Sequence, residues 1–342
     1  MLSFEKTKIG ELELRNRIIM APMCMFNADE SGRPNNFHTI HYGNAALGGL
    51  GLIIVEATGV VPEGRISDRD LGIWSDSQIA GHSKIVEVAH EFGAKVGIQL
   101  AHAGRKCEIE KETIVAPSAI AFSEDYKKPV ELDAAGIKRV KDGFREGALR
   151  AVEAGYDLIE VHGAHGYLLH QFLSPLSNQR TDEYGGSREN RARLVIEVAE
   201  EIRSVIPKEM PMILRVSATD YYEGGIDINE MVELVNLFKH LFDVVHVSSG
   251  ALVSEAVIKP YPGYQVPFSE AIKTRCDVRT IAVGLLTQIE QIEEVLANGR
   301  ADYVALGRVL LREPYFLLNN GRGEIEIHHS IRRGFPSLPK GN

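Results

Sequence analysis

Eight short apolar runs, each followed by a longer stretch of helical period, repeat along this chain from end to end. No other feature restricts the fold as much. The runs are Arg17–Met23, Leu52–Thr58, Val96–Ala101, Leu158–His162, Met212–Ser217, Val244–Ser249, Thr280–Gly284 and Tyr303–Gly307. Such an alternation is the signature of a parallel sheet built from βα units. Eight units close naturally into a (β/α)8 barrel, whereas a doubly wound open sheet uses fewer strands and reverses its strand order. Barrels of this kind commonly spend a length such as 342 residues on one domain.

The helical segments carry their own signals. Over 227–242, the residues Met231, Leu234, Val235, Phe238, Leu241 and Phe242 form one apolar stripe suited to the barrel wall. A later helix is expected to open with Thr287 and Glu290 in capping-box spacing, bury Ile289, Ile292 and Leu296, and stop at Gly299. Gly93 and Gly155 stop two others in the same way. One long excursion, roughly Arg105 to Asp133, follows the third run and has the length of a lid.

Composition narrows the function classes. Lys and Arg number 38 against 47 Asp and Glu, a formal net charge of −9. That balance argues against the broad positive field of a nucleic-acid binder, so an anionic cofactor needs a local cluster of donors. Cys24, Cys107 and Cys276 have neither CxxC nor Cys/His metal-ligand spacing, which suggests no disulfide framework, zinc site or iron–sulfur site and fits a reducing cytoplasm. The charged amino terminus does not resemble a secretory signal, and the apolar run Ala45–Val55 is far short of the ~20 residues that span a bilayer. No membrane partner is expected. The glycine cluster at 48–51 precedes a strand instead of following one, so it is not a dinucleotide-binding fingerprint.

In a βα barrel the chemistry sits where each strand runs into its following loop. The first four strand ends are Ala21-Pro22-Met23-Cys24, Glu56-Ala57-Thr58, Gln99, and His162 through Tyr167. The last four are Arg215, Ser248-Ser249-Gly250, Gly284, and Gly307-Arg308. Glycines after strands seven and eight let backbone N–H groups approach a phosphate, with Arg308 adding charge, although glycines there also serve simple turns. Gln99 both donates and accepts, which suits the edge of a flavin pyrimidine ring. Arg215 either stabilises negative charge on a reduced flavin or serves a structural ion pair.

His162 and His165 have three readings: structural imidazoles, metal ligands, or paired donors aimed at one carbonyl oxygen. No third ligand cluster lies at neighbouring strand ends, which weakens the metal reading. Paired donors beside the hydroxyl of Tyr167 make an electrophilic clamp and a proton source, a combination suited to hydride addition to a conjugated carbonyl. Cys24 is either a nucleophile or a buried, inert thiol.

Five segments carry a resemblance to a known family. They are NRIIMAPMCMF (Asn16–Phe26), GLIIVEATGV (Gly51–Val60), GIQLAHAGRK (Gly97–Lys106), EVHGAHGYLLHQFLSPLSNQRTDEYGGSRENR (Glu160–Arg191) and NGRADYVALGR (Asn298–Arg308). With them the chain resembles the old yellow enzymes, in their bacterial, thermophilic-like branch of NADPH dehydrogenases, along essentially its whole length. The resemblance implies one FMN-binding (β/α)8 barrel domain over residues 1–342, with an N-terminal hairpin and a lid after strand three. It also implies that residues 310–342 lie at a subunit interface of a homodimer or homotetramer.

By the same resemblance, Ala21, Pro22, Met23, Cys24, Ala57, Gln99, Arg215, Gly284, Gly307 and Arg308 contact FMN. Cys24 lies beside the flavin ring. His162 and His165 bind the substrate oxygen, Tyr167 donates the proton, and Arg333 reaches into a neighbouring subunit's site. The implied reaction is reduction of an enal, enone, maleimide or quinone at its activated C=C bond, with NADPH or NADH as hydride donor. Two departures stand out. Phe26 occupies a place where the branch commonly has a tyrosine that contacts substrate, and the tail continues past Arg333 through Pro336 and Pro339. Dienoyl-CoA and enoate reductases are longer and carry an iron–sulfur motif that this chain lacks. A non-catalytic flavin-binding redox sensor would not need His162, His165 and Tyr167 together.

Overall fold

The computed structural model describes residues 1–321 and 323–335. Eight parallel strands close a barrel in sequence order. They are β1 (Ile18–Met20), β2 (Leu52–Gly59), β3 (Lys95–Ala101), β4 (Leu158–Gly163), β5 (Met212–Ser217), β6 (Val244–Ser248), β7 (Thr280–Ala282) and β8 (Tyr303–Leu306). The ring is sealed where Val304, Ala305 and Leu306 of β8 pair with Ile18, Ile19 and Met20 of β1. All eight expected strands are present. β1 is shorter than expected because Pro22 has no N–H to continue a ladder. β7 ends early as well, ahead of Gly284 with its φ of +131°.

Seven helices wrap the barrel: α1 (Asn36–Leu47), α2 (Ile79–Glu91), α3 (Ala134–Glu153), α4 (Arg188–Arg203), α5 (Ile228–Phe238), α6 (Val266–Cys276) and α7 (Ile289–Ala297). Short helices at Leu168–Leu173, Arg308–Arg312 and Phe316–Asn320 accompany them. On α5 the Asp227 carboxylate accepts the Glu230 N–H at 2.8 Å, and Met231, Leu234, Val235 and Phe238 are buried against the wall. The stripe expected to run to Phe242 passes instead into a 3-10 turn over Lys239–Leu241. The start of α7 also differs. Its N-terminal N–H groups, those of Thr287 and Gln288, are accepted by the side-chain oxygen of Gln291 at 2.9 and 3.2 Å, and the capping pair is Gln288 with Gln291. Gly93, Gly155 and Gly299 each follow a helix with positive φ, as expected.

Two apolar cores divide the molecule. The larger lies between the barrel wall and the helices. The smaller fills the lower barrel with Ile19, Leu52, Ile54, Leu158, Ile213, Val244, Ile281 and Tyr303, capped by Ile9 and Leu14 of the N-terminal hairpin (Thr7–Ile9 with Leu12–Leu14). The Tyr303 hydroxyl and the Arg279 guanidinium both donate to the carbonyl of Lys8, fixing the hairpin at the N-terminal ends of the strands. The excursion after β3 contains a 3-10 turn (Gly104–Lys106) and a small sheet of Val115–Ala116 with Val130–Glu131. It packs through Ala103, Cys107, Ile109 and Ile114 against Tyr167 and Ile66. The excursion therefore sits over the mouth of the barrel.

Candidate active site

Above the apolar lower core the barrel interior turns polar. Gln99 of β3 stands opposite Glu160 of β4, His162 of β4 opposite Arg215 of β5, and Arg215 opposite His246 of β6. All five side chains are buried. Gln99 Nε2 donates to Glu160 Oε1 at 2.7 Å, and His246 Nδ1 donates to Glu160 Oε2 at 2.8 Å. This contact orients the Gln99 amide with its nitrogen toward Glu160. The Arg215 Nε is buried and has no partner among the described residues. An unused buried donor of this kind is costly unless something accepts from it.

That something fits a cavity of about 500 Å³ at the C-terminal ends of the strands. Ala21, Pro22 and Met23 line it from the loop after β1, with Arg215, Ser248, Ser249 and His165 on the next walls. Gly284, Gly307, Arg308 and Arg312 line its far side. Glycine is required at position 284, whereas at 307 a Cβ would make only an ordinary contact. A Cβ on Gly284 would come within 3.1 Å of the Gln265 backbone nitrogen at a φ of +131°, and one on Gly307 would lie 3.4 Å from Met23 Sδ. Two arginines and close backbone suit a phosphate, and Arg215 suits a polar ring edge, while Gln99 is buried behind the lining residues. The residues present fit FMN.

The end of β4 and the loop after it carry the reactive trio. The Ala164 N–H points at His162 Nδ1 at 3.3 Å, so Nδ1 accepts and Nε2 carries the proton. His165 has a φ of +58°, held by its N–H to Ser217 Oγ at 3.0 Å and its Nε2 against Ser248 Oγ at 2.7 Å. The His162 ring meets His165 edge-on at 5.2 Å and Tyr167 at 4.9 Å. Burial, then the charge of Arg215, pushes both imidazoles well below their ordinary range, so both are neutral donors at pH 7. Burial likewise pushes the Tyr167 hydroxyl up and keeps it protonated. The turn is braced from behind. The Gly166 N–H donates to His170 Nδ1 at 2.9 Å, and His170 Nε2 lies 2.9 Å from Asp220 Oδ1.

Lys106 reaches the same turn from the excursion. Its ammonium donates to the carbonyls of His165 and Ala251, each at 3.1 Å, and lies 5.2 Å from the Tyr167 ring centre. Burial, then the charge of Arg105, brings it down to about 8.

β2 is irregular between Val55 and Thr58. Such bulges re-aim side chains beside sites. Here Glu56 accepts from the Met25 N–H at 2.7 Å and the Tyr42 hydroxyl at 3.1 Å, anchoring the loop that carries Cys24. Ala57 shares a small pocket with Tyr167. Burial pushes the Cys24 thiol up, with Asp70 and Glu56 adding to the effect, so at neutral pH it is not a thiolate.

Phe26 and Arg333 do not line the cavity. Phe26 is 46% exposed with a φ of +51°, and Arg333 stands exposed in a single 3-10 turn. Pro336 and Pro339 lie outside the described residues. Glu160, Lys106, Gln265 and Arg312 were not singled out as site residues by sequence reasoning.

Comparison with known proteins agrees with this geometry. The sequence model of the NADH:flavin oxidoreductase / NADH oxidase family matches residues 3–323. An NADPH dehydrogenase of Clostridium acetobutylicum is 55% identical over 323 residues, covering 94% of this chain and 95% of the relative. One from Bacillus subtilis is 51% identical over 315 residues, covering 92% of both. Among solved structures, morphinone reductase superimposes with a TM-score of 0.79 at 30% identity, over 96% of this chain and 92% of that one. The chain therefore belongs to the NADH:flavin oxidoreductase / NADH oxidase family, the old yellow enzyme family of FMN oxidoreductases.

Proposed function

We propose that the protein is an NADPH dehydrogenase that reduces the activated C=C bond of enals, enones, maleimides or quinones. The observation that carries this reading is the cluster of two neutral imidazoles and one protonated tyrosine, ring against ring, with His165 lining the same cavity as Arg215, whose buried Nε has no partner among the described residues. FMN, when bound, carries a hydride from the nicotinamide to the acceptor.

His162 and His165 hold the acceptor's carbonyl oxygen and stabilise the negative charge that grows on it, an effect worth about 2.7–4 kcal/mol per donor in comparable oxyanion sites. Tyr167 supplies the proton to the α-carbon. Arg215 and Gln99 hold the pyrimidine edge of the cofactor, while Arg308, Gly284 and Gly307 hold its phosphate. Ala21, Pro22, Met23, Cys24 and Ala57 pack beside the ring. Residues 310–342, with Arg333, are assigned to a subunit interface of a homodimer or homotetramer, and Phe26 to the rim of the substrate entrance. The proposed compartment is the cytoplasm, where three free thiols remain reduced. Among the described residues no helix is long and apolar enough to cross a membrane.

The test is anaerobic reduction of the holoenzyme by NADPH and by NADH, followed by reoxidation with cyclohexenone, N-ethylmaleimide and a benzoquinone. Rapid bleaching by NADPH and recovery of colour with each acceptor is expected. Reduced protein that none of these acceptors reoxidises would leave a redox sensor as the better reading.

A further inference from the structure

A second, much smaller pocket reaches Tyr167 from the side of the turn after β2. Its volume is about 10 Å³, and its lining includes Ala57, Arg65, Asp70, Ala103 and Tyr167. Among mostly apolar walls, the polar side chains of Arg65, Asp70 and Tyr167 and that volume suit one water molecule, whose lower limit is of the order of 10–15 Å³.

Asp70 is the unexplained member of this group. Its side chain is buried, and Oδ2 accepts the N–H groups of Ile66 and Ser67, each at 2.7 Å. Oδ1 is equally buried and has no hydrogen-bond partner among the described residues. The Arg65 guanidinium does not take it, because its hydrogen bonds go to the carbonyls of Glu30, Pro62 and Asp68. Asp70 also sits at the root of a turn whose next residues outward, Asp68 and Arg69, are exposed.

The chemistry assigned to Tyr167 leaves a need. Each turnover removes the phenolic proton, and Tyr167 is closed in by the excursion at Ala103, Cys107, Ile109 and Ile114. Burial makes a phenolate there unfavourable, so a proton must return quickly.

We infer that Asp70, acting through one water molecule in the small pocket, returns to Tyr167 the proton that Tyr167 gives to the substrate. The inference rests on the proposed role of Tyr167. In the first transfer the Tyr167 O–H bond breaks as the substrate's α-carbon–H bond forms. In the second, the Asp70 Oδ1–H bond breaks, the bridging water gains that proton and passes one of its own to the phenolate, and Tyr167 O–H re-forms. Asp70 then takes a proton from solvent. One solvent proton is consumed for each hydride delivered. Burial supports the role, raising the Asp70 carboxyl to about 6 against the opposing backbone N–H groups, which places its proton exchange near neutral pH.

The test compares a first turnover with steady state in the holoenzyme. Asp70→Asn keeps an acceptor for the turn at Ile66 and Ser67 and removes the exchangeable proton. Reoxidation of anaerobically reduced Asp70→Asn by one equivalent of cyclohexenone uses the proton already on Tyr167 and is expected within twofold of wild type. Steady-state turnover is expected to fall at least tenfold, with a larger solvent deuterium effect. A crystal structure of the wild-type holoenzyme at high resolution should show a water within hydrogen-bond distance of both Asp70 Oδ1 and Tyr167 Oη. Equal losses in first turnover and steady state, no loss in either, or an empty pocket in that crystal structure would each overturn the relay. Tyr167→Phe separates the two readings: if it reoxidises as fast as wild type, the assignment of Tyr167 fails and the relay falls with it. If it is slow while Asp70→Asn matches wild type throughout, only the relay fails.

Discussion

Glu160 on β4 and His246 on β6 are joined at 2.8 Å across the strand that carries Arg215, and the second oxygen of the same carboxylate takes the Gln99 amide at 2.7 Å. Strands β3 to β6 are thus tied together inside the barrel, immediately below the cavity. Leaving a buried donor unpaired costs about 1–3 kcal/mol. Glu160→Leu strands two of them, Gln99 Nε2 and His246 Nδ1, and is expected to lower stability in urea by about 2–6 kcal/mol. Because the Gln99 amide is no longer held in one orientation, FMN affinity, followed by recovery of flavin fluorescence, is expected to fall at least tenfold. Unchanged FMN affinity would show that Gln99 does not meet the cofactor.

His162→Ala and His165→Ala should each slow reoxidation by an enone about a hundredfold, the scale of losing one oxyanion donor. Flavin reduction by NADPH should change far less, since the clamp acts on the acceptor's oxygen. Stopped-flow measurement of the two half-reactions separately decides the matter. Equal losses in both would mean that the turn itself had collapsed.

Lys106 brings a charge within 5.2 Å of the Tyr167 ring, and burial lowers its pKa to about 8. Below that pH the ammonium attracts an anionic ligand; above it the attraction disappears. Affinity for a phenolate, corrected for ionisation of the phenol itself, should therefore fall as pH rises through about 8. In Lys106→Met that fall should be absent and affinity lower throughout. Titration by the long-wavelength charge-transfer band provides the measurement.

Glu56 offers a pH test of stability. Burial raises its carboxyl from 4.5 to about 7, against hydrogen bonds from Met25 and Tyr42 that act in the opposite direction. The folded state holds this proton more tightly than the unfolded chain. The contribution is therefore complete below about 4.5 and is lost as pH rises through about 7. A tenfold difference in proton affinity corresponds to about 1.4 kcal/mol, so the loss is of the order of 3 kcal/mol. Glu56→Gln should be more stable than wild type at pH 8 and lose that advantage toward pH 4.5, read as the difference between the two urea midpoints. A difference that is flat with pH would show that Glu56 is ionised throughout.

The barrel was legible because each strand is buried on both faces and shows as an unbroken apolar run, while turn glycines mark the helix ends. Its fine edges were not. Thr287 and Glu290 have the spacing of a cap, but Gln291 reaches back first. The trio of His162, His165 and Tyr167 was visible because one short segment carries all three. Glu160 could not be assigned from local pattern, since its partners lie 61 and 86 residues away and meet it only when the ring closes. Lys106 and Asp70 each sit beside other charges in loops, beside Arg105 and after Asp68-Arg69, and nothing local singles them out. Only the fold shows that both approach the same tyrosine, from the excursion and from the turn after β2. Phe26 was expected at the substrate. Its ring is exposed and does not line the cavity, which fits the place at the rim of the entrance proposed for it.

The hairpin of Thr7–Ile9 and Leu12–Leu14 does more than seal a core. It caps the strand side chains that already fill the lower barrel, which makes the barrel a cup, so every molecule that reaches the cavity must enter and leave by the same rim. The nicotinamide and the acceptor then take turns in a single doorway. Excess of either should hold the other out, and the rate should pass through a maximum as the concentration of one is raised at a fixed level of the other.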